Sequence, residues 1–252
     1  MATLETKGLT MKFGGLLAVD NFEIKINKNE LVGLIGPNGA GKTTIFNMLT
    51  GVYNPTQGSI FINYRDVTNK SPYQITKSGV ARTFQNIRLF KDLSVIDNIK
   101  IAHHNEIKYG ILAGVFRSKR YWKQEQNAYN EAIDFLKLFN LEDYAQTLAK
   151  NLPYGKQRKL EIARALATKP KILMLDEPAA GMNPQETKEL METINFIKDK
   201  FDISILLIEH DMNLVMGICQ RIVVIDYGKI IAKGTPTEIK NNPNVIKVYL
   251  GK

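Results

Sequence analysis

The sequence predicts an α/β fold built on a mostly parallel sheet with helices on both faces. Three observations predict it. Short apolar runs at 31–35, 171–176, 203–209 and 221–226 alternate with segments of helical periodicity, the pattern of a parallel sheet covered on both sides. A glycine-rich turn at 36–41 joins the first of these runs to a helix. The middle, about 87–152, carries helical periodicity and no buried-strand pattern, and reads as a helical subdomain inserted into the core.

Taken in order, residues 1–35 read as strands. Leu16 to Ile26 alternates in part, and Leu31-Val32-Gly33-Leu34-Ile35 has the continuous apolar character of a strand buried on both faces. The N-terminal strands are expected to form an antiparallel β portion. A helix follows the glycine turn to about Leu49, and Gly58 to Asn63 reads as another strand. Three helix starts share one pattern: Ser71-Pro72-Tyr73-Gln74, Asn183-Pro184-Gln185-Glu186 and Thr235-Pro236-Thr237-Glu238. Each has an oxygen acceptor at the cap. Proline takes the first helical position, where its missing N–H costs nothing, and Gln or Glu at the third can reach back to the cap. Ser94 and Asp97 form a weaker version.

Length and composition bound the function. The 252 residues suffice for a packed core, and 44% hydrophobic with 23% charged residues excludes wholesale disorder. A single cysteine, Cys219, excludes an intrachain disulfide; among Gly217, Ile218 and Ile222 it reads as a small buried hydrophobe. No apolar run approaches the roughly 18 residues of a membrane span. Met1 to Thr10 has no apolar core of a signal peptide. The net charge of +9 suits an anionic partner, but the basic residues are scattered, so a nucleic-acid tail is not indicated. The apolar stretch from Tyr109 to Trp122, ending in Arg117, Lys119 and Arg120, reads either as a partner-docking segment or as an internal helix.

The segment Gly36-Pro37-Asn38-Gly39-Ala40-Gly41-Lys42-Thr43, followed by Thr44, matches G-x-x-x-x-G-K-[ST] between an apolar strand and a helix. Its glycines let backbone N–H groups turn inward on phosphate oxygens, and the helix N-terminus adds partial positive charge. Lys42 can reach the β- and γ-phosphates, and the Thr43 hydroxyl can ligate Mg²⁺. In Ile172-Leu173-Met174-Leu175-Asp176-Glu177 a buried strand ends in two carboxylates. Asp176 suits Mg²⁺, and Glu177 suits the general base that polarises an attacking water.

Downstream pieces fall in a fixed order: Thr83-Phe84-Gln85, then Leu152 to Leu166, then Pro178 to Pro184, and another apolar strand ending in Glu209-His210. This set resembles the ATP-binding subunits of ABC transporters over essentially the whole chain. The wording of 13–21, 81–90, 158–166, 173–184, 206–228 and 234–251 is similar to that of branched-chain amino-acid importer ATPases. The resemblance implies a single ABC ATPase domain over 1–252: a P-loop core at about 1–86 and 153–252, and the helical subdomain at about 87–152. It implies ATP and Mg²⁺ as ligands. Gln85 is then the Q-loop glutamine, a catalytic residue and metal ligand, and His210 the switch histidine, also catalytic. Phe13 is the aromatic set against adenine. Tyr154, Gly155 and Lys156 belong to the signature segment that meets ATP on a paired ATPase, and Ala180 to Asn183 to the D-loop.

The implied partners are membrane permease subunits, a second ATPase subunit in a homodimer or heterodimer, and indirectly a solute-binding protein, at the cytoplasmic face of the membrane. A lipid or lipopolysaccharide exporter ATPase and a soluble ABC ATPase acting on nucleic acid or ribosomes are the alternative readings. The signature departs from L-S-G-G-Q: Pro153 replaces serine and Lys156 replaces glutamine, which removes a hydroxyl and a backbone N–H. Asn183, where the family has aspartate, also reads as a helix cap.

Overall fold

A computed structural model describes residues 2–103 and 119–250. These form two compact units, one of Met1–Gln85 with Pro170–Lys252 and one of Asn86–Lys169.

The first unit holds two sheets among the described residues. In the antiparallel one, β1 (Ala2–Phe13) pairs with β2 (Leu16–Phe22), β3 (Lys25–Asn27) and β5 (Gln57–Ile62), and β6 (Arg65–Asp66) pairs with β5. The other runs β11-β10-β4-β9-β8-β7. Here β4 (Leu31–Ile35), β7 (Val80–Arg82), β8 (Ile172–Asp176), β9 (Ser204–Ile208) and β10 (Arg221–Asp226) are parallel, and β11 (Lys229–Gly234) closes one edge antiparallel to β10. Every residue of β4, β8 and β9 is buried, as central strands covered on both faces require.

Register decides where the chemistry sits. Ile208 of β9 pairs with Leu34 of β4 on one side and with Asp176 of β8 on the other. The three carboxyl ends are therefore level. They carry the glycine loop, the Asp176-Glu177 pair and Glu209-His210 to one edge of the sheet, the edge where ligands of open α/β sheets bind.

The helix Lys42–Leu49 follows the loop and buries Ile45, Phe46, Met48 and Leu49 in the core. The Pro-containing starts at Ser71, Asn183 and Thr235 all form capping boxes, opening helices Pro72–Lys77, Pro184–Phe201 and Pro236–Lys240. Cys219 is buried, and desolvation pushes its thiol up to about 12. In the C-terminal helix Pro243–Leu250, the buried Val245 lines an open cavity of about 720 Å³ together with Ile246, Tyr249, Met212 and Met216.

The second unit is helical: Val95–His103, Lys119–Lys137 and Tyr154–Ala167, with short 3₁₀ turns at Glu142–Tyr144 and Ala149–Asn151. Ile99, Leu136, Leu141, Leu160 and Ala163 are fully buried. Ser94 accepts from the Asp97 N–H at 3.2 Å. Arg158 and Glu161, one turn apart, form a buried ion pair at 2.7 Å. Glu161 also accepts the Arg88 N–H at 3.0 Å. The helix Tyr154–Ala167 packs on Val95–His103 within this unit, which extends to 169 where the sequence reading drew the helical part at 87–152. The stretch 109–118 of the expected docking segment lies outside the described residues.

The sequence reading missed β7 and β11. Three residues ending in a charged one, Val80-Ala81-Arg82, carry too little pattern. The turn into β11 is Asp226-Tyr227-Gly228-Lys229, without the Asn or Asp before Gly that marks a tight hairpin.

Candidate functional site

The glycine loop is shaped by contacts that exclude side chains. A Cβ on Gly36 would lie 2.2 Å from the Ile225 carbonyl oxygen, and one on Gly41, at φ +104°, would lie 2.7 Å from that of Ala18. Gly41 also caps the helix Lys42–Leu49, so its left-handed backbone turns the chain into the helix. Lys42 Nζ donates to the Gly36 and Pro37 carbonyls at 2.7 and 2.9 Å. Burial pulls the Lys42 pKa down, and the charges of Glu177 and Asp176 pull it back up. The lysine is thus a partly desolvated cation held inside its own loop, facing two carboxylates.

Phe13, Leu16, Leu17, Ala18, loop residues 38–44, Glu177 and Tyr227 line one open cavity of about 370 Å³. Phe13 sits at its rim, half-exposed, its ring edge-on to Tyr53 at 5.4 Å. Asn38, Gly39, Ala40, Gly41, Thr43 and Thr44 thus share a cavity with Phe13 and Glu177, while Gly36 and Pro37 sit just behind it as acceptors for Lys42.

Glu177 stands in the left-handed region at φ +48°, unusual for a side chain with a Cβ. Its N–H donates to the Ile208 carbonyl at 2.9 Å, which fixes the residue against the end of β9. Its Oε2 accepts from Gln85 Nε2 at 2.6 Å and lies 3.1 Å from His210 Nε2. The structure therefore brings together Gln85, Glu177 and His210, three residues from three separate strand ends.

Asp176 is engaged by a residue that sequence reasoning missed. Arg82 Nη2 donates to Asp176 Oδ2 at 2.6 Å, with both side chains buried. Arg82 Nη1 reaches Asn47 Oδ1 at 2.8 Å on the helix after the glycine loop, and the guanidinium lies over the rings of Phe46 and Phe84. The available signal was its position three residues before Gln85. Glu209 was also missed as a structural group. Its Oε1 accepts the Ala179 N–H at 2.7 Å, and its Oε2 accepts those of His210 and Asp211 at 3.0 and 3.3 Å. It ties the turn after Glu177 to the backbone of His210. Desolvation raises its pKa despite these three donors.

Tyr154, Gly155 and Lys156 belong to the second unit and open the helix Tyr154–Ala167, with Pro153 in the N-cap position at φ −53°, ψ 150°. Proline there supplies no side-chain cap. Lys156 lies with its ammonium 4.5 Å from the centre of the Tyr144 ring. Asn183 caps the helix Pro184–Phe201 by accepting the Glu186 N–H at 3.0 Å.

The donors suit a hard divalent cation. Thr43, next to the phosphate loop lysine, and Asp176, at the end of β8, offer oxygen. That fits Mg²⁺, which binds through one or two protein oxygens with phosphates and waters completing its shell.

Comparison with known proteins gives the family. The family model described as "ABC transporter" matches residues 19–180, and that described as "Branched-chain amino acid ATP-binding cassette transporter" matches 229–252. The chain is 50% identical over 249 residues to the high-affinity branched-chain amino acid transport ATP-binding protein LivG of Salmonella typhimurium, covering 99% of this chain and 98% of that one. It is 48% identical over 249 residues to the corresponding protein BraF of Pseudomonas aeruginosa, with the same coverage. It superposes on the crystal structure of the ADP conformation of an ATP-binding cassette of an ABC transporter with a TM-score of 0.85, 30% identity and full coverage of both chains. A phosphate loop, a carboxylate pair and a histidine at level strand ends, in a chain related to these proteins from end to end, identify a member of the ABC transporter family, an ATP-binding ATPase whose hydrolysis is coupled to transport.

Proposed function

We propose that this ATPase powers the import of branched-chain amino acids. The observation that carries the reading is the near 50% identity, over 99% of the chain, to relatives named for that transport. Its partners are membrane permease subunits and a second ATPase subunit, and through the permease a solute-binding protein. Among the described residues no helix is long and apolar enough to cross a membrane. As the ATPase of such an importer the chain works at the cytoplasmic face as a peripheral subunit, with the segment Gln85 to Phe90 facing the permease.

The geometry supports the following site chemistry. The loop amides of 36–44 and Lys42 hold the phosphates of ATP, and Phe13 lies along the base. Thr43, Asp176 and Gln85 would hold Mg²⁺, which would neutralise phosphate charge when bound. Glu177 takes a proton from the water that attacks the γ-phosphorus as the bond to the bridging oxygen breaks. His210 and Gln85, both on Glu177 Oε2, orient that carboxylate and the water. Tyr154, Gly155 and Lys156 serve the ATP bound by the paired subunit, with backbone N–H groups from Tyr154 onward in place of the serine that Pro153 replaces.

Uptake tests the reading. Deleting the gene should abolish uptake of labelled leucine, isoleucine and valine through this system. A wild-type copy should restore it, and a Lys42→Ala copy should not. Unchanged uptake of all three in the deletion strain would overturn the import reading.

A further inference from the structure

We propose that Tyr227 forms a second aromatic wall of the nucleotide pocket, together with Phe13, and thereby contributes to binding of the purine base. The inference rests on reading the cavity at 36–44 as the ATP site. Tyr227 lines that same cavity, although it comes from the far side of the sequence. At 86% exposure it is the most exposed of the described large hydrophobic side chains. Nothing in the packing of the unit accounts for a tyrosine there.

The backbone makes the choice of residue harder to explain by folding alone. Tyr227 and Gly228 are the two central residues of the hairpin between β10 and β11, with Asp226 and Lys229 paired across it. Both have positive φ, +42° and +78°. A two-residue turn of that kind favours Asn, Asp or Gly in the first position, and an aromatic residue there is disfavoured. The fold would be served better by asparagine. The tyrosine is kept in a costly conformation, facing a cavity.

The turn cannot relax away from that cavity. The Gly228 N–H donates to the carbonyl of Ala40, inside the phosphate loop, at 2.9 Å. The Asp20 N–H donates to the Gly228 carbonyl at 3.0 Å. Lys229 pairs with Asp20 at 3.2 Å. A Cβ on Gly228 would meet the Ala18 carbonyl oxygen at 2.7 Å, so the hairpin backbone lies directly on β2. These contacts register Tyr227 to the phosphate loop itself. A flat purine between residues that already offer Phe13 and Leu17 gains a second π-face, and stacking of that kind tolerates adenine and guanine alike.

The test separates base from phosphate and side chain from fold. Binding of ATP and of inorganic tripolyphosphate is measured by calorimetry on the wild type, Tyr227→Phe and Tyr227→Asn, with the thermal midpoint of each protein without nucleotide. Tyr227→Asn should weaken ATP about tenfold, leave tripolyphosphate unchanged and raise the midpoint by about 2 °C as the turn relaxes. Tyr227→Phe should bind ATP as the wild type does. Unchanged ATP affinity in Tyr227→Asn overturns the proposal, as does an equal loss for tripolyphosphate or a lowered midpoint, which would make Tyr227 a residue of the fold. A wild type that binds neither ligand overturns the ATP-site reading instead.

Discussion

Arg82 and Asp176, 94 positions apart in sequence, form a buried ion pair at 2.6 Å at the edge where Gln85, Glu177 and His210 collect. Through Arg82 the carboxylate is also linked to Asn47 on the helix that follows the phosphate loop. The pair joins three pieces that the ATPase site needs in register: the strand leading to Gln85, the end of β8, and the helix Lys42–Leu49.

Removing one partner of a buried pair leaves the other charge without compensation, at a cost of about 3–5 kcal/mol. Arg82→Met should therefore lower unfolding stability in urea by about 3 kcal/mol. Adding Asp176→Asn to that variant should recover part of the loss, because the stranded charge is gone. Two losses that simply add would show that Arg82 stabilises through its packing on Phe46 and Phe84 and not through Asp176.

Glu177→Gln keeps the size and shape of the side chain but cannot take up a proton. Turnover of ATP should fall by about 10²- to 10⁴-fold, while ATP binding measured by calorimetry stays near that of the wild type. Unchanged turnover would move the base to another group, with His210 the first to examine because it sits 3.1 Å from the same oxygen.

Glu209 predicts a pH dependence with a definite sign. Its pKa is raised in the folded protein by burial. A carboxyl with a raised folded pKa binds its proton more tightly folded than unfolded, so its contribution to stability is greatest at low pH. It is lost as pH rises from the ordinary glutamate value of 4.5 through the folded value. The stability of the wild type relative to Glu209→Gln should fall across that rise. A flat difference from pH 4 upward in urea titrations would remove the titration of Glu209 as its cause.

Much of the site was legible in sequence because its motifs sit next to the strands that position them. Leu31–Ile35 and Ile172–Asp176 are continuous apolar runs, and the loop and the acids follow them directly. The helix starts at Ser71, Asn183 and Thr235 were legible because a capping box lies within four residues. Arg82 was not, because its partner is distant in sequence and its strand has three residues. Glu209 looked like one more acid beside a histidine; its role comes from an N–H thirty residues away. The helix Tyr154–Ala167 falls with the second unit, packed on Val95–His103 with Glu161 bonded to the Arg88 backbone, a pairing that no local pattern announces.

The shared partner of Leu34 and Asp176 has a mechanical consequence. Because Ile208 is laddered to both, β9 acts as a ruler between the end that holds phosphate and the end that holds the acids. Neither can slide without breaking backbone bonds in the centre of the sheet. The sheet is therefore the stator of this motor. On the proposed reading of the site, motion driven by ATP leaves through what hangs from its rim: Gln85, beyond a three-residue edge strand, and His210, on the short link before the helix Met212–Ile218.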